Sequence, residues 1–371
     1  MRFVFYTNNV SPHQLPLAAR LMARVGHENF LYVMEEREWY GKTVETDLPI
    51  VQATDERARE WLENAEVMYM GGLRPVDLME RRVKRGLTTL YYSERWFKPF
   101  PLFDLKLLDC LIGVTVPGWV RMFVPWYRKM ARRFVKLANE NECVTFLPVG
   151  PWARRDFIRL GVRPDKLVDW GYFVEKGTGK QGTGKQGIGS DLKILWVGRM
   201  LGWKRVDTII RAANEFKVQG LKFKVTLVGD GPEKSNLIRL AQRLFPGGVA
   251  IEHSNIPNNR TIVFLPRQPL EKVRELMRQY DLYVLASDAC EGWGAVVNEA
   301  LEEGMPVIGT FEAGASAAIL PWERLFPAGD WKALCNLVMK DAHGALPECS
   351  IGPWTADAAA EKVLGLGGWH G

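Results

Sequence analysis

Short apolar segments alternate with amphipathic segments along the chain, and this alternation restricts the possible folds more than any other feature of the sequence. The pattern is most regular in the second half. There it predicts strands at Lys193–Val197, Phe223–Val228, Thr261–Phe264, Asp281–Ala286 and Pro306–Gly309. It predicts helices at Val206–Phe216, Pro232–Leu244, Leu270–Gln279, Ala295–Glu303 and Trp331–Met339. Because alternation at this spacing requires right-handed crossovers, we expect a parallel sheet covered by helices.

The first half predicts a second α/β sheet of the same kind. Its predicted strands are Arg2–Thr7, Phe30–Met34, Val67–Met70, Thr88–Tyr92 and Cys143–Pro148, with helical segments at Leu15–Val25 and Pro75–Arg85. A length of 371 residues also favours two domains. We expect an N-terminal domain over 1–173, a glycine-rich linker over 174–190, a C-terminal domain over 191–350 and a final segment over 351–371. The duplicated Gly-Thr-Gly-Lys-Gln in the linker is not a P-loop, since Gln follows each lysine.

Composition limits the cellular setting and the class of partner. The five cysteines are widely spaced and lack paired metal-site spacing, so reduced thiols are expected. No basic, apolar, small-residue segment opens the sequence and no apolar stretch reaches about 18 residues, so we expect neither secretion nor membrane spanning, and a cytoplasmic protein is favoured. The net charge of +6 favours anionic partners. Nucleic acid is not expected among them, because no nucleic-acid-binding motif accompanies the charge.

Two carboxylates separated by seven residues follow the predicted strand Asp281–Ala286. Glu291 is predicted on the loop, and Glu299 one to two turns into the helix that begins at Ala295. Gly292 and Gly294, on either side of Trp293, allow the loop to approach a ligand closely. Ligands of α/β sheets bind at the carboxyl ends of strands, so both acids are expected to face one crevice. The simpler interpretation is that both are solvated polar residues.

This Glu-seven-Glu segment resembles the signature of the retaining, nucleotide-sugar-dependent glycosyltransferases of the GT-B fold, specifically glycosyltransferase family 4 (group 1). The resemblance is strongest over Lys193–Gly314. It implies two Rossmann-like, doubly wound parallel-sheet domains that face a central cleft, with 351–371 crossing back to the first domain. The implied activity is glycosyl transfer from a nucleotide-diphosphate sugar to a saccharide or lipid-linked saccharide, in capsule or lipopolysaccharide biosynthesis.

The resemblance also implies a diphosphate clamp in the loop after the first strand of the second half. Gly198 opens this loop, and Arg199 and Lys204 would grip the phosphates of the leaving nucleotide. These two cations would take the place of a divalent metal, so no metal or cofactor is expected. By the same resemblance, Glu291 would contact hydroxyls of the donor sugar and Glu299 the ribose of the nucleotide.

Two further turns of the second half are implied to lie near the nucleotide. Gly229 and Asp230 follow the strand Phe223–Val228, although a purely structural turn is an equal alternative. Pro266 stands where the family usually has a glycine that binds the base, and its lack of a backbone N–H removes one donor. Arg267 could compensate with a stacking or polar contact to the base.

The first half matches the family pattern less closely. His13 lies on the loop after the first strand and could contact the donor phosphate or the acceptor; a structural loop histidine is the alternative. Glu94 follows the strand Thr88–Tyr92, near where many family members have a histidine. We hypothesise that Glu94 orients the acceptor hydroxyl.

The segment 119–136 combines Trp and Phe with many basic residues and almost no acid. Such a basic, aromatic helix suits an anionic membrane surface, which would make the protein peripheral at the inner face of the membrane. A core helix with a solvated basic edge is the alternative.

Other functions remain open from the sequence. A sugar-nucleotide epimerase also has GT-B architecture, and a non-catalytic protein could bind the sugar nucleotide without transferring it. A dehydrogenase is disfavoured, because no Gly-x-Gly-x-x-Gly fingerprint follows the first strand.

Overall fold

A computed structural model of the protein describes residues 1–35, 46–72, 75–101, 115–178, 191–251 and 261–368. Most of the predicted linker, 179–190, lies outside these ranges. The chain divides into two compact units. The first contains the described residues up to Glu175 together with those from Pro353 onward, and the second contains those from Lys176 to Gly352.

The first unit is built on a sheet of six parallel strands among the described residues, in the order β3-β2-β1-β4-β5-β8. These strands are β1 (Phe3–Thr7), β2 (Phe30–Met34), β3 (Ile50–Gln52), β4 (Val67–Gly71), β5 (Thr88–Ser93) and β8 (Val144–Pro148), and a separate antiparallel pair joins β6 (Phe100–Pro101) to β7 (Thr115–Val116). All five residues of β1 are buried, as expected for a central strand that helices cover on both faces.

The helices of the first unit bury one apolar face each. They are α1 (Leu15–Val25), α2 (Glu56–Asn64), α3 (Val76–Lys84), α4 (Pro125–Glu140), α5 (Pro151–Leu160) and, near the end of the chain, α12 (Ala356–Leu366). Helix α12 packs on α1, and Arg20 and Arg24 of α1 form ion pairs with its acidic residues. These pairs are exposed, so the buried face of α12 contributes most of the stabilisation.

The second unit contains seven parallel strands among the described residues, in the order β11-β12-β10-β9-β13-β14-β15. The strands are β9 (Leu192–Val197), β10 (Phe223–Val228), β11 (Val249–Ile251), β12 (Ile262–Leu265), β13 (Leu282–Leu285), β14 (Val307–Thr310) and β15 (Leu325–Phe326). Its helices are α6 (Val206–Val218), α7 (Lys234–Leu244), α8 (Leu270–Gln279), α9 (Val296–Glu302), α10 (Gly314–Ile319) and α11 (Trp331–Ala342).

The prediction of two parallel-sheet α/β domains is therefore confirmed. The predicted basic segment 119–136 is divided, because a 3-10 helix over Gly118–Phe123 precedes α4. Pro125 explains the division, since proline is favoured in the first turn of a helix and not in its interior. Within the described part of the chain, no helix combines the length and apolarity needed to cross a membrane.

Candidate functional site

The predicted site of the second unit lies on the loops that follow β9 and β13, which are neighbouring parallel strands. The strand order reverses at this point, because β10 lies on one side of β9 and β13 on the other. Such a reversal leaves a crevice at the carboxyl ends of the strands, where ligands of α/β sheets bind. The sheet thus brings together the residues that follow Val197 and those that follow Leu285.

Glu291 is held on its loop by a turn around Asp288. The backbone N–H of Glu291 donates to the carbonyl of Asp288 at 2.9 Å, and that of Cys290 donates to the Asp288 carboxylate at 2.8 Å. This is the local side-chain-to-backbone bonding that makes Asp a strong turn former. Burial raises the pKa of Asp288, while the nearby Arg205 acts in the opposite direction.

Gly292, Trp293 and Gly294 fix the path from this loop into α9. Trp293 is buried, and its indole N–H donates to the Asn298 side chain at 2.8 Å. Gly294 has φ 89°, and a Cβ there would lie 3.0 Å from the Leu285 side chain. In this structure Gly292 and Trp293 are buried beneath the loop, while Gly294 makes the turn into the helix.

Lys204 and Glu291 form an ion pair that joins the two loops. Both side chains are largely buried, and the contact lies between positions 87 residues apart in sequence. A backbone hydrogen bond of 2.8 Å from Asp288 to the carbonyl of Trp203 holds the loops together beside the pair. Arg205 has φ 48°, a left-handed conformation that is unusual for a residue other than glycine and is often found at functional loops. The loop that carries Lys204 is therefore tightly constrained.

Glu299 lies in the first turn of α9, since the helix begins at Val296, which is earlier in the helix than the sequence predicts. Burial raises the pKa of Glu299, and Arg274 partly opposes this effect. Both Glu299 and Glu291 act on the Tyr283 hydroxyl, whose pKa is raised mainly by burial and further by these two carboxylates. Tyr283 in turn donates to the carbonyl of Val197 at 3.0 Å. The two acids thus share one neighbourhood at the end of β9.

The turn after β10 supports the Gly198 loop through its backbone. Gly198 donates to the carbonyl of Val228 at 3.0 Å, and Met200 donates to that of Asp230 at 2.7 Å. A Cβ on Gly229, which has φ 142°, would lie 1.9 Å from the Gly198 carbonyl oxygen. The Asp230 side chain is exposed and accepts from the N–H of Gly231 at 2.9 Å. In this structure Gly229 and Asp230 shape the loop that presents Arg199.

Arg199 and Arg267 are both exposed at carboxyl ends of strands. Within the described ranges, neither guanidinium has a hydrogen bond or an ion pair. Arg199 lies two residues beyond Val197 of β9, and Arg267 two residues beyond Leu265 of β12. Both therefore remain predicted ligand contacts rather than parts of the interaction network of the second unit.

In the first unit, Tyr172 links the two predicted residues His13 and Glu94. The His13 ring stacks on Tyr172 with a centroid distance of 6.1 Å and an interplanar angle of 14°. The Tyr172 hydroxyl donates to Glu94 Oε1 at 2.9 Å, and Lys98 Nζ donates to Glu94 Oε2 at 3.1 Å. Burial lowers the pKa of His13 to about 4. At neutral pH the imidazole is therefore uncharged and can act through hydrogen bonding rather than through charge.

The partly buried imidazole of His13 predicts a pH dependence of stability. The unfolded chain takes up a proton at His13 near pH 6.5, whereas the folded protein does so only near pH 4. The free energy of unfolding should therefore fall as the pH is lowered from about 6.5 to about 4. His13→Phe, which keeps a ring against Tyr172, should remove this part of the pH dependence in urea titrations. His343→Phe, at an exposed histidine, is the matched control, and an unchanged slope in His13→Phe would contradict the assignment.

Several residues of these sites were not predicted. Asp288 and Tyr172 are the clearest, and each acts through a partner distant in sequence: the Trp203 carbonyl for Asp288, and Glu94 for Tyr172. For Asp288 a signal existed, because Ser-Asp-Ala-Cys has the composition of an Asx turn. For Tyr172 the sequence carries no signal, since its role depends on which strand ends lie together.

Comparison with known proteins finds one matching family model and one similar curated protein. Residues 183–341 match the family described as glycosyl transferases group 1. A curated relative, the N-acetyl-alpha-D-glucosaminyl L-malate synthase of Bacillus anthracis, is 32% identical over 116 residues. These residues are 31% of this chain and 26% of the relative, so the match spans about a quarter of that protein's length.

Three solved structures resemble the whole chain. The lipopolysaccharide outer core galactosyltransferase WaaB, in its apo form, has a TM-score of 0.66 at 14% identity, covering 99% of both chains. Anabaena Alr3699/HepE in complex with UDP has a TM-score of 0.60 at 15% identity, covering 98% of this chain and 95% of that one. WaaG, a glycosyltransferase involved in lipopolysaccharide biosynthesis, has a TM-score of 0.53 at 15% identity, covering 98% and 100%. At these identities the likeness concerns the fold, which is the GT-B fold that the sequence resemblance implied.

Proposed function

We propose that this protein is a retaining glycosyltransferase that transfers a sugar from a nucleotide-diphosphate sugar to a saccharide or lipid-linked saccharide acceptor. The observation that carries the proposal is the Lys204–Glu291 ion pair at the strand reversal of the second unit. The donor has two parts that such a pair can bind. The cation can stabilise the diphosphate, which gains negative charge as the sugar leaves, and the carboxylate can accept hydrogen bonds from the sugar hydroxyls.

The ion pair also suggests how the site changes when the donor binds. In this structure the Lys204 ammonium is neutralised by Glu291. A diphosphate carries more negative charge than one carboxylate, so it competes for Lys204 and frees Glu291 to accept hydrogen bonds from sugar hydroxyls. Arg199, exposed on the same loop, adds a bidentate donor for the phosphates. With two cations available, we propose that transfer needs no divalent metal.

In the first unit, the cluster of His13, Tyr172, Glu94 and Lys98 is the proposed acceptor side. Glu94 already accepts hydrogen bonds from Tyr172 and Lys98, so its carboxylate is oriented by two donors. An oriented carboxylate can accept a hydrogen bond from an acceptor hydroxyl. Retention of configuration is supported by the Glu-seven-Glu resemblance. A role in surface-glycan biosynthesis is supported by the names of WaaB and WaaG.

A nucleotide panel tests the donor. Uridine diphosphate and its sugars are the first to try, because similar proteins were solved with UDP and with UDP-glucose. At 100 times the dissociation constant, a ligand of the folded state should stabilise it by ~2.7 kcal/mol, seen as a rise in Tm. Arg199→Ala should reduce this shift. Arg211→Ala, at an exposed arginine on α6, is the matched control.

Product analysis then separates the functions that the sequence left open. A transferase releases the nucleoside diphosphate in step with glycosylated acceptor, and it does so equally in the presence of EDTA. An epimerase would change the sugar and release no transferred product. A non-catalytic sugar-nucleotide-binding protein would show the nucleotide-induced rise in Tm but no turnover with any acceptor. That result would contradict the proposal.

A further inference from the structure

An exposed aromatic patch lies at the start of α4 in the first unit. It consists of Trp119, Phe123, Val124 and Trp126, whose exposed fractions are 53%, 75%, 40% and 65%. The Trp119 and Phe123 rings contact each other edge to face, with centroids 5.8 Å apart. Large apolar side chains clustered on a surface mark a site of interaction, whereas single exposed ones are ordinary.

The patch is rigidly mounted on the core. The opposite face of α4 buries Tyr127, Ala131 and Phe134. Trp96, which is fully buried, packs edge-on against Tyr127 and Phe134 with centroid distances of 5.7 and 5.5 Å. Because the inward face is already filled, the aromatic patch points away from the core of the first unit.

Cations continue the patch along the outward side of α4. Arg128, Lys129 and Arg132 are exposed, and within the described part of the chain none of the three has an ion pair. Acids on or beside this helix pair with other cations: Asp77 and Glu80 of α3 pair with Arg133, and Glu140 of α4 pairs with Lys136. We call Arg128, Lys129 and Arg132 the basic face.

We infer that the aromatic patch and the basic face together dock the protein on an anionic lipid bilayer. An anionic bilayer complements both parts of this surface. Its interfacial layer accommodates the Trp and Phe rings, and its phosphate headgroups attract Lys and Arg. A protein partner would cover the rings but would have to supply three carboxylates opposite the cations. A nucleic acid would satisfy the cations but would leave Phe123 and Val124 in water.

This surface lies next to the proposed acceptor side through a close backbone contact. A Cβ on Gly118, at the start of the 3-10 helix, would lie 2.4 Å from the Lys98 carbonyl oxygen, and Lys98 pairs with Glu94. Docking would therefore hold Glu94 close to the lipid headgroups, as a lipid-linked acceptor requires. This last step rests on the proposed function, whereas docking itself does not.

Vesicle flotation of the full chain tests the inference. We expect binding to vesicles that contain phosphatidylglycerol, little binding to pure phosphatidylcholine, and weaker binding at high salt. The triple variant Arg128→Glu, Lys129→Glu and Arg132→Glu should bind on the order of 100-fold more weakly, at about fivefold for each lost cation. The triple variant Trp119→Ser, Phe123→Ser and Trp126→Ser should lose at least ~10-fold.

Matched controls lie on the second unit. Trp322→Ser removes a tryptophan that is 73% exposed, and Lys217→Glu, Lys222→Glu and Arg243→Glu together reverse three exposed cations. Both controls should bind vesicles like the wild type. All variants should keep the wild-type Tm and the nucleotide-induced shift, which separates this test from that of the proposed function.

Three outcomes would overturn the inference. One is a wild-type protein that does not float with anionic vesicles. Another is a serine triple variant that floats normally but changes its oligomeric state or Tm, because the patch would then be covered by another protein surface. The third is binding to a duplex oligonucleotide as tight as to vesicles and insensitive to the serine substitutions, which would indicate a polyanion site.

Discussion

Lys204→Ala should lower kcat/KM for glycosyl transfer on the order of 100- to 1,000-fold, the usual cost of removing one donor that stabilises developing charge. The largely buried Glu291 would lose its ion-pair partner and would repel the donor diphosphate. Glu291→Gln keeps the shape of the side chain and removes its charge. We expect it to lower kcat by a similar factor while the nucleoside diphosphate binds at least as tightly. Steady-state kinetics and calorimetric titration of the nucleoside diphosphate measure the two effects.

The double variant Lys204→Ala, Glu291→Gln distinguishes this model of the site from a purely structural ion pair. It should recover part of the nucleotide affinity that Lys204→Ala loses, without recovering turnover, because the repulsive carboxylate is gone. Lys272→Ala breaks an exposed lysine–glutamate pair on α8 and should leave both parameters unchanged. A Lys204→Ala enzyme within twofold of the wild-type kcat/KM would remove Lys204 from the mechanism.

Gly229→Ala should destabilise the second unit by about 3 kcal/mol, combining a steric overlap with a strained backbone. The added Cβ would lie 1.9 Å from the Gly198 carbonyl oxygen, at a φ of 142° that side chains rarely adopt. The two loops would have to separate, and the Arg199 loop would lose its support. Calorimetry should record a fall in Tm of roughly 6–12 °C for this unit, together with a smaller nucleotide-induced shift.

Two other glycines of the second unit separate the effect of backbone strain from that of steric overlap. Gly247 has φ 72° but open space around its Cβ position, so Gly247→Ala measures backbone strain without overlap and should cost about 1 kcal/mol. Gly202 has neither a positive φ nor a neighbour within 4 Å, so Gly202→Ala should be close to neutral. If Gly229→Ala lowered the free energy of unfolding no more than Gly247→Ala, the close contact between the Gly198 and Gly229 loops would not limit the stability of the second unit.

Local signals predicted much of the second unit. The acidic segment was recognisable because a buried strand, a glycine loop and a helix follow one another within a few residues. Leu270–Gln279 and Phe223–Val228 have the predicted bounds, and the other predicted strands and helices of this unit differ at their ends. Short elements such as α10 (Gly314–Ile319) and β15 (Leu325–Phe326) were not predicted, since a few residues carry too little periodicity.

The first unit was less predictable at its site. His13 and Glu94 were selected from their positions after strands, but nothing in the sequence indicated that Tyr172 would join them. Its contacts depend on β1 and β5 lying on the same sheet, with β4 between them. A single aromatic residue in an irregular segment has no periodic pattern that could reveal such a contact.

The alternation of strands and helices, the turns made by glycines and the charged residues after each strand are all readable from the order of residues along the chain. These follow from backbone preferences and from the period of apolar residues, which act over a few positions. The contact between Lys204 and Glu291, by contrast, depends on how the strands pair in the folded sheet. The two become neighbours because β13 pairs with β9, although β10, β11 and β12 come between them in sequence. The pairing of β13 with β9 is selected because it buries the apolar faces of the whole sheet. Burial of this kind depends on all the strands together and cannot be read from any one segment.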